Sequence, residues 1–196
     1  MPGWVDGALA MIEGLAAAFG ANLLAELGDK SQLAVLALAG RHHKQAWQVF
    51  LGASVGLALA TAVSVTVGSL VARALPQALL RPLVALLFIL IGAYLFLEKT
   101  KKEKIGGNGR NPFLSSLALL LLLEMGDKTQ LANALLSAEF GAVGVWVGGT
   151  AALVLLTGAA SFFGRKVAGR FDERRVREAA ALLFVLLGLA ILVFNL

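Results

Sequence analysis

The chain of 196 residues is 59% hydrophobic and 15% charged, with a mean hydropathy of +0.83. This apolar content exceeds what the core of a water-soluble domain can hide, so the composition predicts an all-α integral membrane protein in a lipid bilayer. The net charge of +5 does not indicate nucleic-acid binding, because the basic residues cluster in short links between apolar segments. The lack of cysteine excludes disulfides, thiol catalysis and thiolate metal sites.

Six apolar segments follow one another along the chain. A transmembrane helix needs about 20 apolar residues to cross a bilayer core of about 30 Å. A polar linker of lysines and glycines divides the segments into three and three, which predicts a first repeat at 1–98, a basic cytoplasmic linker at 99–111 and a second repeat at 112–196. The transmembrane spans are predicted near residues 15–39, 46–72, 80–97, 112–137, 142–164 and 178–195.

The first and fourth spans each carry one copy of a charged motif, ELGDKSQLA at 26–34 and EMGDKTQLA at 124–132. An Asp, Lys or Arg at the centre of a membrane helix costs about 2.5–3.5 kcal/mol on insertion scales, so the six ionisable groups of these motifs indicate a function. On a continuous helix, positions i, i+3 and i+4 share one face, and we expect the charges of each motif to converge. Glycine weakens a helix by roughly 1 kcal/mol relative to alanine, which favours local unwinding at Gly28 and Gly126.

The two motifs together hold four carboxylates and two lysines, a charge of −2 that one divalent cation neutralises. If the motif helices face each other, oxygen ligands without nearby histidine or cysteine favour hard cations such as Mn²⁺, Ca²⁺ or Mg²⁺. The alternative is a buried salt-bridge network that only holds the helices in register, although four acids exceed what two lysines can pair. The candidate metal ligands are Glu26, Asp29, Gln32, Glu124, Asp127 and Gln130, with Lys30 and Lys128 as charge-balancing, snorkelling or substrate-contacting groups and Asn22, Ser31 and Thr129 as helpers.

The sequence repeat extends beyond the motifs. The motifs are 98 residues apart, and later positions repeat at an offset of 96, which pairs Gly52 with Gly148 and residues 85–88 with 181–184. Because each half holds three spans, the second half enters the membrane upside down relative to the first. The fold class predicted is therefore six transmembrane helices as two inverted three-helix repeats.

Basic residues predict the orientation, because they favour the cytoplasmic side of a membrane protein. The first, third and fifth links carry 13 lysines and arginines, whereas the opposite side carries only Arg73 and Arg81. We therefore expect the odd links in the cytoplasm and both termini outside. The first charges are Asp6 and Glu13, so the chain lacks the basic start of a cleaved signal peptide.

Two copies of E-x-G-D-[KR]-[ST] in a protein of two three-span halves resemble the cation transporter family that includes transmembrane protein 165 and bacterial manganese exporters. The resemblance covers nearly the whole chain, and both motifs match fully. It implies a transporter in a bacterial inner membrane that moves Mn²⁺, or Ca²⁺ in some members, in exchange for protons and without a cofactor. It implies cation ligands at Glu26, Asp29, Glu124 and Asp127, with Gln32 and Gln130 as helpers.

Carboxylates buried together let metal and protons compete for one set of oxygens, so exchange follows from the chemistry of the motifs. Inverted halves supply two arrangements open to opposite sides, and we expect export of Mn²⁺ against inward protons. A passive cation channel with an acidic filter is one alternative. An intramembrane aspartyl protease is another, although four acids flanked by two lysines would overload a catalytic pair of acids with charge.

Overall fold

The computed structural model describes residues 3–27, 29–97, 111–167 and 173–194. Gly28 and nearly all of the predicted linker at 99–111 lie outside the described residues. Every regular element in the described ranges is helical, and a short 3-10 turn at His43–Gln45 joins the second helix to the third. The helices are α1 Gly3–Glu26, α2 Lys30–Arg41, α3 Ala46–Ala74, α4 Gln77–Leu97, α5 Pro112–Glu124, α6 Lys128–Phe140, α7 Ala142–Val167 and α8 Glu173–Phe194.

Each motif-bearing segment is divided into two helices within its motif. The second break contains Gly126 with a φ of 80°, a left-handed conformation that glycine adopts without steric cost. The local unwinding predicted at Gly126 is confirmed. The expectation of one continuous helical face through each motif is wrong, because α1 ends at Glu26 and α2 begins at Lys30, with the same interruption between α5 and α6.

Three helical stretches are long and apolar enough to cross a membrane: Gly7–Glu26, His43–Ala74 and Ala142–Phe163. Shorter apolar helices accompany them at Ala78–Tyr94 and Pro112–Glu124, and also at the C-terminal end of the described residues. Many large apolar side chains point outward rather than into a core. Lipid is the solvent that such a surface requires, and helices that satisfy their own backbone groups suit it, so the protein is an integral membrane protein.

Contacts in one half of the chain reappear in the other half. A Cβ atom added at Gly52 on α3 would clash with the Phe113 carbonyl of α5, and one added at Gly148 on α7 would clash with the Leu15 carbonyl of α1. These contacts are related by the 96- and 98-residue offsets of the sequence repeat. Thus α3 packs along α5 in the way that α7 packs along α1.

The α4 and α8 helices pack against each other through equivalent positions. A Cβ at Gly92 would lie 2.7 Å from the Ala181 carbonyl oxygen, and one at Gly188 would lie 2.7 Å from the Ala85 carbonyl oxygen. The rings of Phe88 and Phe184, also 96 residues apart, have centroids 5.9 Å apart. The contact between α4 and α8 is therefore nearly symmetric.

The contacts of α4 and α8 with the other helices are not symmetric. Among the described residues, α4 packs against α6 and α8 packs against α1, and a large apolar core joins these helices. A smaller core joins α2, α3, α5 and α7 around Val35, Leu57 and Leu153. The α4–α8 pair therefore covers the side of the molecule formed by α1 and α6.

Candidate metal centre

Three carboxylates from different helix ends meet inside the protein. Oxygen atoms of Glu26, Glu124 and Asp127 lie within 4.8 Å of one another. Glu26 is 0% exposed and Glu124 is 2% exposed. Ionised carboxylates at this distance repel one another, and burial removes their hydration. A bound cation or protonation of the carboxylates would therefore stabilise the cluster.

The two helix breaks explain why acids collect at this point. Glu26 and Glu124 end α1 and α5, where backbone carbonyls lack helical partners and the helix dipole is negative, a setting that suits a cation. Asp29 and Asp127 occupy the N-cap positions of α2 and α6. Neither aspartate makes a side-chain hydrogen bond to the start of its own helix, so both carboxylates are directed to other groups.

Two hydroxyl groups fix the buried glutamates across the breaks. Ser31 Oγ donates to Glu26 Oε2 at 2.5 Å, and Thr129 Oγ1 donates to Glu124 Oε2 at 3.0 Å. The other oxygen of each glutamate, Oε1, is buried and has no hydrogen-bond partner among the described residues. Each glutamate is thus oriented through one oxygen and keeps the second available for a ligand.

Lys128 joins the two motifs electrostatically. Its Nζ atom lies 2.9 Å from Asp29 Oδ2 and 3.8 Å from Asp127 Oδ2. Asp29 therefore pairs with the lysine of the opposite motif instead of joining the three-carboxylate cluster, because a buried ammonium group needs a carboxylate partner. The side chain of Lys30 lies outside the part of the chain whose side chains are described.

The described salt bridges of the motifs involve the aspartates rather than the glutamates. Among the described side chains, the salt bridges within 4.0 Å join Lys128 to the aspartates and not to Glu26 or Glu124, although the Lys128 charge also acts on Glu26 over a longer distance. The remaining negative charge is what a bound cation would neutralise.

The amide side chains that were predicted as helpers of the metal site form two groups. Gln32 is 8% exposed, and neither of its amide atoms has a hydrogen-bond partner among the described residues; the same holds for Gln130 Nε2. Asn22 lies one helical turn before Glu26 and forms hydrogen bonds with Asn133 of α6. Asn133 is not among the residues predicted from the sequence. The two amides exchange hydrogen bonds of 2.7 and 3.1 Å. The sequence signal for Asn133 is a polar amide side chain within an apolar helix.

Comparison with known proteins identifies the family of the chain. The family model described as "Divalent cation/proton antiporter GDT1" matches residues 14–103 and 112–196. A Vibrio cholerae protein named "Putative manganese exporter" is 30% identical over 172 residues, covering 85% of this chain and 84% of the relative. GDT1-like protein sll0615 of Synechocystis is 32% identical over 195 residues, covering 86% and 93%.

A plant relative, GDT1-like protein 3 of Arabidopsis thaliana, is 25% identical over 203 residues, covering 89% of this chain and 69% of the relative. No solved structure matches the chain. The family model includes both motifs and both halves of the sequence. Because the family is one of transporters, the alternative of an intramembrane protease is excluded. The chain therefore belongs to the GDT1 family of divalent cation/proton antiporters and is a membrane transporter, not an enzyme.

Proposed function

We propose that this protein exports Mn²⁺ from the cytoplasm in exchange for protons, through one cation site formed by the two motifs. The observation that carries the proposal is the buried cluster of Glu26, Glu124 and Asp127, with oxygens within 4.8 Å of one another. A site built from carboxylates and without sulfur or nitrogen ligands suits a hard divalent cation. The name of the Vibrio relative supports Mn²⁺ as the substrate, and Ca²⁺ is the second cation to test.

The free Oε1 atoms of Glu26 and Glu124 and the carboxylate of Asp127 form the inner ligand set of the proposed site. Asp29 is the fourth acid, and it becomes available when Lys128 leaves it. The cation and the Lys128 ammonium group then compete for one carboxylate, which keeps the unloaded site from carrying four unpaired negative charges. The amide groups of Gln32 and Gln130 are the proposed neutral helpers.

Proton exchange follows from the same ligands. A carboxylate must be deprotonated to bind metal, so the cation displaces protons on binding and protons displace the cation on release. The sign of the coupling is therefore fixed: acid on the receiving side promotes release of metal there, and protons move in the opposite direction to the metal.

The proposed architecture is six transmembrane spans in two inverted three-helix repeats, one within 1–98 and one within 112–196. Each broken pair, α1–α2 and α5–α6, counts as one span. The equivalent contacts of Gly92 and Gly188 support this symmetry. The distribution of basic residues supports an orientation with both termini outside, and the Vibrio relative supports a bacterial inner membrane as the location.

A reconstitution experiment tests the proposed function. Purified protein in liposomes that contain dyes for Mn²⁺ and for pH should move Mn²⁺ into the lumen when the lumen is acidic, and the lumen should become less acidic as the metal enters. Mn²⁺, Ca²⁺ and Mg²⁺ are compared in parallel. Metal flux without any movement of protons would identify a passive channel and overturn the proposed exchange.

A matched pair of variants ties the flux to the site. Glu26→Gln removes one inner ligand, whereas Glu13→Gln makes the same substitution at an exposed position earlier on α1. We expect the first variant to lose coupled flux and the second to keep it. Equal flux in both variants would show that the buried cluster does not bind the transported cation.

A further inference from the structure

Three hydroxyl side chains form a row along one face of α7. Thr150, Thr157 and Ser161 are 7 and 11 residues apart, which at about 100° per residue places them within about 40° of one another. Their oxygen atoms are buried and have no hydrogen-bond partner among the described residues. Thr157 is 0% exposed and Ser161 is 9% exposed. With a rise of about 1.5 Å per residue, the row is about 16 Å long.

Several hydroxyl groups on α3 and α5 bond to the backbone of their own helix. Thr61 Oγ1 donates to the carbonyl one turn earlier at 2.9 Å, Thr66 at 2.7 Å and Ser116 at 2.8 Å. This bond is the ordinary solution for serine and threonine in apolar helices. A buried hydroxyl without a partner carries an uncompensated cost, so the α7 row indicates that a polar species passes or binds there.

The row begins beside the metal centre. A Cβ atom at Gly149, the residue before Thr150, would lie 3.2 Å from the Asn22 amide nitrogen and 3.1 Å from the Asn133 amide oxygen. Asn22 is one turn from Glu26 on α1. From this level the row follows α7 toward its C-terminal end, and α7 also packs against α2.

The equivalent positions in the first half of the chain are different. The 96-residue offset relates Thr150, Thr157 and Ser161 to residues 54, 61 and 65. Ser54 has a buried hydroxyl without a described partner, but Thr61 bonds to its own helix and Val65 is apolar.

We infer that Thr150, Thr157 and Ser161 line the path by which a hydrated divalent cation moves between the metal centre and the cytoplasmic end of α7. The inference rests on the proposed function, because the metal centre is the destination of this path. Neutral hydroxyl oxygens can replace part of the hydration shell of a hard cation without holding it as tightly as carboxylates do. Passage requires this combination of favourable entry and easy departure.

Cysteine accessibility tests the path directly, because the chain has no native cysteine. Thr157→Cys and Ser161→Cys should react with a hydrophilic, membrane-impermeant thiol reagent from the cytoplasmic side, and Mn²⁺ should slow the reaction. Val65→Cys, at the buried position equivalent to Ser161, and Thr66→Cys, on an exposed surface of α3, are the controls. We expect rates about tenfold above the controls, because a thiol in apolar surroundings stays protonated and unreactive. Rates equal to both controls would overturn the inference.

A transport measurement complements the labelling. Thr157→Val keeps the size of the side chain and removes its hydroxyl, and it should lower the Mn²⁺ flux by about tenfold, the effect of losing one hydrogen-bonding group. Thr157→Ser should restore most of the flux, and Thr66→Val should leave it unchanged. An unchanged flux in Thr157→Val, with normal yield and monodispersity, would contradict the path.

The two proposals can fail separately. If the wild-type protein exchanges Mn²⁺ for protons while the introduced thiols stay unreactive, the path is wrong and the proposed function stands. If the thiols react and are protected by a different divalent cation, while wild-type protein moves no Mn²⁺, the path stands and the proposed substrate is wrong.

Discussion

The two oxygens of each buried glutamate have different roles. Glu26 and Glu124 each accept a hydroxyl hydrogen bond through Oε2 and leave Oε1 free. The donors, Ser31 and Thr129, belong to the helix that follows each break, whereas the glutamates end the helix before it. Orientation of the ligand therefore depends on the geometry of the break, which couples metal binding to the position of the half-helices.

The acids themselves give the sharpest prediction at this scale. Replacing a carboxylate by its isosteric amide keeps the shape of the side chain but removes the charge that the cation needs. Loss of a buried charged interaction costs about 3–5 kcal/mol, which corresponds to more than a hundredfold in affinity. Mn²⁺ flux in liposomes should fall to background while the protein remains membrane-inserted. Wild-type flux in any two variants would show that the four acids do not form one site. The variants are Glu26→Gln, Asp29→Asn, Glu124→Gln and Asp127→Asn.

The hydroxyl donors should affect affinity more than turnover. Ser31→Ala and Thr129→Ala each remove one hydrogen bond to a glutamate, worth about 0.5–1.5 kcal/mol, so we expect the KM for Mn²⁺ to rise by about 2- to 10-fold. Thr129→Ser should restore the wild-type KM because it keeps the donor. Ser69→Ala is the control, since Ser69 bonds only to the backbone of α3. An unchanged KM in both test variants would mean that these bonds do not orient the ligands.

At the scale of the element, each motif both interrupts a helix and supplies charged side chains at the interruption. The glycine and aspartate end one helix and start the next, and the same aspartate and the preceding glutamate bring charge to the break. Gly126 adopts φ 80° and Asp127 follows it in an extended conformation. The break therefore does not depend on a distant contact, which is why a local sequence signal could predict it.

A substitution at the break tests this dependence. Gly126→Ala forces an L side chain into the left-handed region at a cost of about 1–2 kcal/mol, so we expect a lower thermal unfolding temperature and reduced Mn²⁺ flux. Gly20→Ala is the matched control, because Gly20 lies within α1 with no neighbouring atom within 4 Å of an added Cβ. Alanine there should be neutral or stabilising. A Gly126→Ala protein as stable and active as the wild type would remove the role assigned to the glycine.

Some elements could be predicted from the sequence and others could not, for physical reasons. The helical class, the repeat offsets and the break at Gly126 depend on composition and on local backbone preferences. The pairing of Asp29 with Lys128 and of Asn22 with Asn133 joins residues about 100 positions apart, and no local pattern specifies which side chains meet across the bundle. The structure likewise groups three of the four acids and pairs Asp29 with Lys128, a division that no local pattern specifies.

At the scale of the whole molecule, contacts of one half recur in the other, including the contact between α4 and α8, but α4 and α8 pack differently against the remaining helices. The shared contact of Phe88 and Phe184 lies between positions that the repeat relates to each other, so an internal two-fold axis would pass near these rings. The packing of α4 on α6 and of α8 on α1 departs from that symmetry. An alternating-access transporter built from inverted halves is expected to be asymmetric in any single state.

The proposed orientation gives the prediction for the whole chain. Single cysteines at positions 107 and 169, which lie outside the described residues, should react with an impermeant thiol reagent only after permeabilisation. A cysteine replacing Gln77 at the start of α4 should react in intact cells. The cysteine-free parent protein provides the background. Labelling of positions 107 and 77 from the same side of the membrane would contradict the inverted repeat.

The amide pair between α1 and α6 has a consequence for how the unloaded protein is distributed between states. The repeat relates Asn22 to Leu120 and Asn133 to Val35, so the pair cannot form again when the two halves exchange conformations. Interhelical hydrogen bonds in membranes are worth about 0.6 kcal/mol on average, and two of them would favour one state by about eightfold. We therefore expect the unloaded carrier to be mainly in the conformation that faces one side of the membrane. Binding of the cargo would then supply the free energy for the change to the other conformation, which disfavours cycling without cargo.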